Sequence, residues 1–134
     1  MTTPEGRVKK NIRRVLDSFG AYYLMPVQYG IGATGVDFHC VTRLDYVIDG
    51  KVVATPLAFF IEAKKPGGEP TDRQELFLRE RREKQNARTF VIDDDPSIKQ
   101  GAGGIDELVQ WLEEIEALNE YAREITQGNI HLSA

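Results

Sequence analysis

One cysteine, Cys40, and two histidines, His39 and His131, are all the chain offers of the side chains that build disulfide frameworks and zinc sites. A lone cysteine excludes an internal disulfide and a multi-cysteine zinc site. His39 and Cys40 are neighbours in a β-rich run, so they point to opposite faces, and His131 lies far along the chain. No apolar run approaches the roughly 18 residues of a membrane span. No apolar segment follows Met1–Glu5, so a leader is not expected and a cytoplasmic, membrane-free protein is. A phosphate loop ending in Gly-Lys-Ser/Thr is missing, as is a nucleophile-elbow serine. Basic surplus is missing too: 17 Lys and Arg stand against 21 Asp and Glu, a net charge of −4 over 134 residues. Taken alone, that argues against nucleic acid as a partner. What is present is globular, 41% hydrophobic and 28% charged. The length suits one domain over 1–134.

Mapping the charge changes its meaning. Residues 1–92 hold 15 Lys and Arg against 11 Asp and Glu, a local charge of +4. Residues 93–134 hold 2 against 10, a local charge of −8. A partner at physiological salt feels a patch within about 8 Å rather than the sum. Arg7, Lys9, Lys10, Arg13 and Arg14 form one basic run, and Arg79, Arg81, Arg82, Lys84 and Arg88 another. Both are candidate phosphate-binding faces, although solvated helix faces carry such runs as well.

The hydrophobic pattern orders the elements. Thr3-Pro4-Glu5 reads as a helix start, followed by Val8, Ile12, Val15, Leu16 and Phe19 at helical spacing. Ala21–Tyr29 reads as a strand that Pro26 puts at an edge or bend. Val36–Ile48 and Val52–Ala63 flank Asp49-Gly50, a hairpin signal. Lys65–Pro70 is turn-rich, and Thr71 caps a charged helix to about Gln85 with Leu76, Phe77 and Ala87 inward. Thr89–Ile92 is a short buried strand, and 99–104 a loop. An acidic amphipathic helix over about 105–126 turns Ile105, Leu108, Val109, Leu112, Ile115, Leu118 and Ala122 inward. The order is α-β-β-β-α-β-α, an α/β fold with a mixed central sheet of about four strands flanked by helices.

Gly30-Ile31-Gly32-Ala33-Thr34-Gly35 matches a dinucleotide fingerprint as a string. The fingerprint requires a following helix, and Val36–Val41 is strand-like, so a flexible glycine loop is the better reading. Phe59-Phe60-Ile61-Glu62-Ala63-Lys64 is more informative. So apolar a run predicts a buried central strand, and Glu62 and Lys64, two residues apart, share a face. Buried charges need a partner or a metal; alternatively the strand ends by Glu62 and the two form a local ion pair. Asp37, between Val36 and Phe38, brings a second carboxylate to a strand end. Asp37, Glu62 and the Ala63 carbonyl suit a hard ion, Mg2+ or Mn2+, with Lys64 placed to orient a nucleophile or stabilise developing charge.

The pattern Asp37…Glu62-x-Lys64 resembles the PD-(D/E)xK nuclease superfamily, and more narrowly the stand-alone VRR-NUC domains of bacteriophages. The matching residues run from Thr3-Pro4-Glu5-Gly6-Arg7-Val8-Lys9-Lys10 through Gly20–Tyr23, Met25–Val27 and Gly35–Phe38. They continue through Phe60–Lys64, Pro66-Gly67, Pro70-Thr71-x-x-Gln74 and Phe90–Asp93, so the resemblance covers about residues 3–93.

The resemblance implies a restriction-endonuclease-like core and a metal-dependent DNA endonuclease, with branched DNA such as a four-way junction as candidate substrate. It implies Asp37 and Glu62 as metal ligands, Lys64 as the catalytic lysine and Gln74 as a supporting residue. Glu5 matches a first-helix acid that helps hold a second metal; a first-turn acid favoured by the helix dipole explains it equally. Arg7, Lys9, Lys10, Arg13, Arg14, Arg43, Lys51, Lys65, Arg79 and Arg82 are the phosphate-contact candidates. The alternative is a nuclease-fold module that binds DNA or protein without cutting. Many relatives have a proline before the acid of Val36-Asp37, and the hairpin around 42–57 is longer than in compact members. Residues 105–134 lie outside the resemblance. Trp111, Leu118 and Ile125 recur every seven residues there, offering a homodimer surface or an ordinary core helix. A phage origin implies work in the bacterial host cytoplasm.

Overall fold

A computed structural model describes residues 3–26, 35–97 and 104–128. The elements are α1 (Pro4–Ser18), β1 (Tyr22–Leu24), β2 (Phe38–Ile48), β3 (Lys51–Ala63), α2 (Asp72–Gln85), β4 (Arg88–Ile92) and α3 (Ile105–Thr126). They form one four-stranded mixed sheet in the order β1-β2-β3-β4. β1, β2 and β3 are antiparallel neighbours, and β4 joins β3 in parallel after the α2 crossover. The predicted element order and the α/β class with helices flanking the sheet are what the chain adopts. Expectations placed on 27–34, 98–103 and 129–134 concern the glycine loop, the end of the first strand, the loop before α3 and His131; they lie outside the described residues.

Local chemistry fixes the frame. Asp49 and Gly50 both take positive φ, 52° and 76°. A two-residue hairpin turn between Ile48 and Lys51 requires this of both. Thr3 Oγ1 accepts from the Gly6 N–H at the start of α1. Gly104 caps α3 at φ 98°, where a Cβ would stand 2.7 Å from the Val91 carbonyl oxygen. Glycine alone suits that conformation and that approach, and no side chain fits between β4 and the start of α3.

One face of the sheet carries Phe38, Cys40, Phe59, Ile61, Ala63, Phe90 and Ile92, packed under Val8, Ile12 and Leu16 of α1 and Leu108 and Leu112 of α3. Each large member contributes about 1.5–3 kcal/mol on burial. Trp111 meets Phe59 at 5.0 Å and Phe90 at 5.7 Å between ring centroids. On the other face His39, paired across strands with Phe60, stacks on Phe77 of α2 at 5.6 Å. His39 and Cys40 thus separate to opposite faces, as strand alternation demands.

Several expected faces shift. Leu78, not Leu76, is the buried leucine of α2, and Leu76 is 44% exposed. The two lie two positions apart, about 200° of helical turn, so they cannot share a face. Leu118 is 52% exposed, since the second half of α3 has passed the core and runs along the hairpin. There Asn119 turns toward the sheet: its Oδ1 accepts from the Asp45 N–H at 2.7 Å, and its Nδ2 donates to the Arg43 carbonyl at 2.9 Å. β1 pairs only with His39–Val41, so this amide covers part of the β2 edge that β1 leaves open. The heptad trio is divided by this path: Trp111 belongs to the core, and Leu118 and Ile125 border the hairpin tip. The first strand is short, with Pro26 beyond its end. Among the described residues no helix is long and apolar enough to cross a membrane.

Candidate metal and phosphate site

β3 stays in the ladder through Ala63, paired with Ile92, and the Lys64 N–H extends that pairing to the Ile92 carbonyl at 2.9 Å. The strand therefore does not end at Glu62. Glu62 and Lys64 are both held in extended register and share a face. Asp37 precedes β2, and its Oδ2 accepts from the Ala63 N–H at 2.9 Å. This bond ties the first residue of the site to the end of the neighbouring strand.

The two carboxyl groups are in hydrogen-bond contact. Glu62 is 1% exposed, and burial, the Asp37 hydrogen bond and the Asp37 charge push its pKa up to about 9. Each of these disfavours a second negative charge in the same place. Burial works against the Asp37 charge. The hydrogen bonds from Glu62 and Ala63 and the Lys9 ammonium outweigh it and hold Asp37 below the usual carboxylate range. Lys9 Nζ stands 3.3 Å from Asp37 Oδ1. Glu62 Oε2 is buried without a hydrogen-bond partner. A strand-end pair of carboxyl groups with one oxygen orphaned is a donor set that suits a hard divalent cation, with the Ala63 carbonyl as a third oxygen at the same strand end. Among the described residues no three His, Cys, Asp or Glu side chains are clustered to hold a metal. Glu5 thus acts on Glu62 through its charge without completing a three-carboxylate cluster.

Other expected site residues are used differently. Gln74 Oε1 accepts from the Thr71 N–H at 2.9 Å, and Thr71 Oγ1 accepts from the Gln74 N–H at 3.2 Å. Together they form a capping box at the start of α2. The Gln74 carboxamide oxygen thus serves the helix end. Arg7 does not present an open guanidinium: Nε and Nη2 each approach Asp95 Oδ2 to 2.9 Å. Asp95 is fully buried and also accepts from the Ser97 N–H at 2.9 Å and Oγ at 2.8 Å. The Arg7 hydrogen bond, foremost, draws Asp95 down to about 2. Arg43 pairs with Asp45 at 2.6 Å. It stands six residues along the chain from Asp37, roughly 20 Å at the rise of a strand, too far to share its site. Arg82 donates to Thr89 Oγ1 at 2.8 Å and neighbours Glu75 at 3.6 Å, so it braces α2 on β4.

Lys10, Arg13 and Arg14 line a groove of about 680 Å3 beside α1, together with Arg7, Asn11, Asp17 and Pro96. Arg13 Nη1 also approaches Met25 Sδ at 3.7 Å, and Arg14 donates to Asn11 Oδ1. Lys51, Lys65 and Arg79 are exposed. Asp93 Oδ2 accepts from the Gly67 N–H at 3.0 Å, which fastens the turn after Lys65 to the end of β4.

Sequence pattern marks Lys9 only as a phosphate contact on the outer helix face, and it does not single out Asp95. A signal for each exists. Glu5 and Lys9 at i and i+4 place the lysine on the acid's helix face. The run Asp93–Ser97 carries the short acceptors that fold back on nearby backbone N–H groups. Comparison of the chain with protein-family models, curated proteins and solved structures gives no match.

Proposed function

We propose that the protein is a metal-dependent DNA endonuclease that hydrolyses phosphodiester bonds. The observation that carries the reading is the Asp37–Glu62 carboxyl pair at adjoining strand ends, with Glu62 Oε2 buried and unpartnered. A structural carboxyl pair has no need to leave an oxygen without a donor. Mg2+ or Mn2+ bound there supplies an activated water and neutralises phosphate charge. Asp37 and Glu62 hold the ion, with the Ala63 carbonyl beside them. Lys64, fixed by its backbone to β4, orients the nucleophile or stabilises charge developing on the phosphate. Lys10, Arg13 and Arg14 grip the backbone of the substrate strand, and backbone contacts favour recognition of DNA shape over sequence. The resemblance to VRR-NUC domains, on Asp37…Glu62-x-Lys64 and the motifs around it, supports this assignment and makes branched DNA the first substrate to try.

A non-cutting module that binds DNA or protein is the second reading. It is favoured by the use of Gln74 in the helix cap and of Asp37 Oδ1 by Lys9. Incubation with supercoiled plasmid and with a synthetic four-way junction, in Mg2+ or Mn2+ and then in chelator, separates the two. Cleavage is expected with metal only. Asp37→Asn and Lys64→Ala are each expected to lower the rate by at least about 100-fold with an unchanged circular-dichroism spectrum. Binding of the junction with no metal-dependent cut supports the module instead.

A further inference from the structure

We propose that Lys9 is the resident counter-cation of the carboxyl pair and sets how tightly the site takes a divalent ion. The inference rests on the metal-site reading above. Asp37 has two oxygens: Oδ2 is tied to the Ala63 N–H at 2.9 Å, and Oδ1 faces Lys9 Nζ at 3.3 Å. The strand-end geometry needs the first bond. Either oxygen keeps a further lone pair, but the one not tied to the strand backbone faces Lys9, so a divalent ion at Asp37 competes with the ammonium for the carboxylate charge.

Lys64 does not duplicate this role. Its charge acts on Glu62, and among the described residues Lys9 is the one cation in ion-pair contact with Asp37. Lys9 also has somewhere to go. Its side chain is 29% exposed. Its stem is flexible, and Glu5 lies one helical turn before it, in the acid-first order that favours an i,i+4 pair. A phosphate brought alongside α1 offers a second alternative partner. Lys9 released from Asp37 onto a DNA phosphate leaves the carboxylate charge to the metal, so metal and DNA each raise affinity for the other. Lys9 is thus a positioning residue that couples the two ligands.

The test measures Mn2+ binding by electron paramagnetic resonance of the free ion, at low salt, without DNA and then with a non-cleavable phosphorothioate duplex. Lys9→Met, which keeps the stem and removes the charge, is expected to bind Mn2+ roughly five- to tenfold more tightly than wild type without DNA. The same tightening is expected of Lys9→Gln, whereas Lys9→Arg keeps wild-type affinity. Addition of the duplex should tighten Mn2+ binding in wild type and Lys9→Arg but not in Lys9→Met. Equal or weaker binding by both neutral variants overturns the proposal while leaving the metal site standing. Absence of Mn2+ binding from every form, wild type included, overturns the metal-site reading and this inference together.

Discussion

Asp95 shows how a single side chain can matter more to the fold than to the acidic run that contains it. Its neighbours are Asp93 and Asp94, yet it is fully buried and takes donors from Arg7 and Ser97. Its native pKa is drawn down to about 2. That is below the roughly 3.9 of an unfolded chain. A depressed carboxyl stabilises the native state above the unfolded value, and that stability is lost as pH falls through the native one. The window is therefore about pH 4 down to about 2. Urea midpoints measured across it should fall steeply in wild type and less steeply in Asp95→Asn, which should already be less stable at neutral pH. Cys40 gives a second residue-scale test. Burial pushes its thiol up to about 12, so no thiolate is available at neutral pH. Iodoacetamide should leave it unmodified in the native protein, and label it readily in about 6 M guanidinium. Labelling of the native form at a comparable rate would contradict the burial of Cys40 in the core.

At the scale of elements, α3 links the core to the hairpin. Its first half packs Leu108, Trp111 and Leu112 on the sheet, and its second half sets Asn119 against the β2 edge. Asn119→Ala leaves the Asp45 N–H and the Arg43 carbonyl without these partners. The expected cost is about 1–3 kcal/mol by chemical denaturation, with faster hydrogen exchange at Asp45. A cost within error would mean that water serves that edge equally well. The elements themselves are legible in the sequence because their signals are local: apolar spacing for α1 and α3, Asp49-Gly50 for the hairpin, Thr71 for the start of α2. The faces are less so. Leu76 and Leu118 fit an inward stripe by spacing, but which residues a helix buries depends on where it crosses the sheet. That crossing is set by Trp111 seated between Phe59 and Phe90, a long-range contact that periodicity does not encode. Asp37, Glu62 and Lys64 stand out because charges there interrupt or adjoin β-rich runs. Gln74 has a role that the site pattern does not signal, because Thr71-x-x-Gln74 is also a capping box and its local hydrogen bonds form.

Across the whole molecule the charge map becomes more selective than the sequence count. The local surplus of +4 over residues 1–92 suggests a broad basic surface. Several of the cations in that stretch are held by specific acids: Arg7 by Asp95, Arg43 by Asp45, Arg82 by Glu75, Lys84 by Glu80. A cation already paired with a carboxylate releases little when it meets a phosphate. Lys10, Arg13 and Arg14, gathered along one groove of α1, lack such an acid among the described ion pairs, and they should dominate the electrostatics of DNA binding. Each phosphate neutralised contributes about −0.9 to the slope of log K against log salt for duplex DNA. Binding of a duplex measured between roughly 50 and 200 mM KCl in chelator should give a slope of about −3 from this groove. Lys10→Ala, Arg13→Ala and Arg14→Ala should each make it shallower by about 1, and weaken binding alike on every sequence. Arg43→Ala and Arg82→Ala should leave the slope unchanged, because each removes a charge that Asp45 or Glu75 already balances. If the paired arginines carried the salt dependence instead, the phosphate track would lie across the hairpin and α2, and the groove beside α1 would need another ligand.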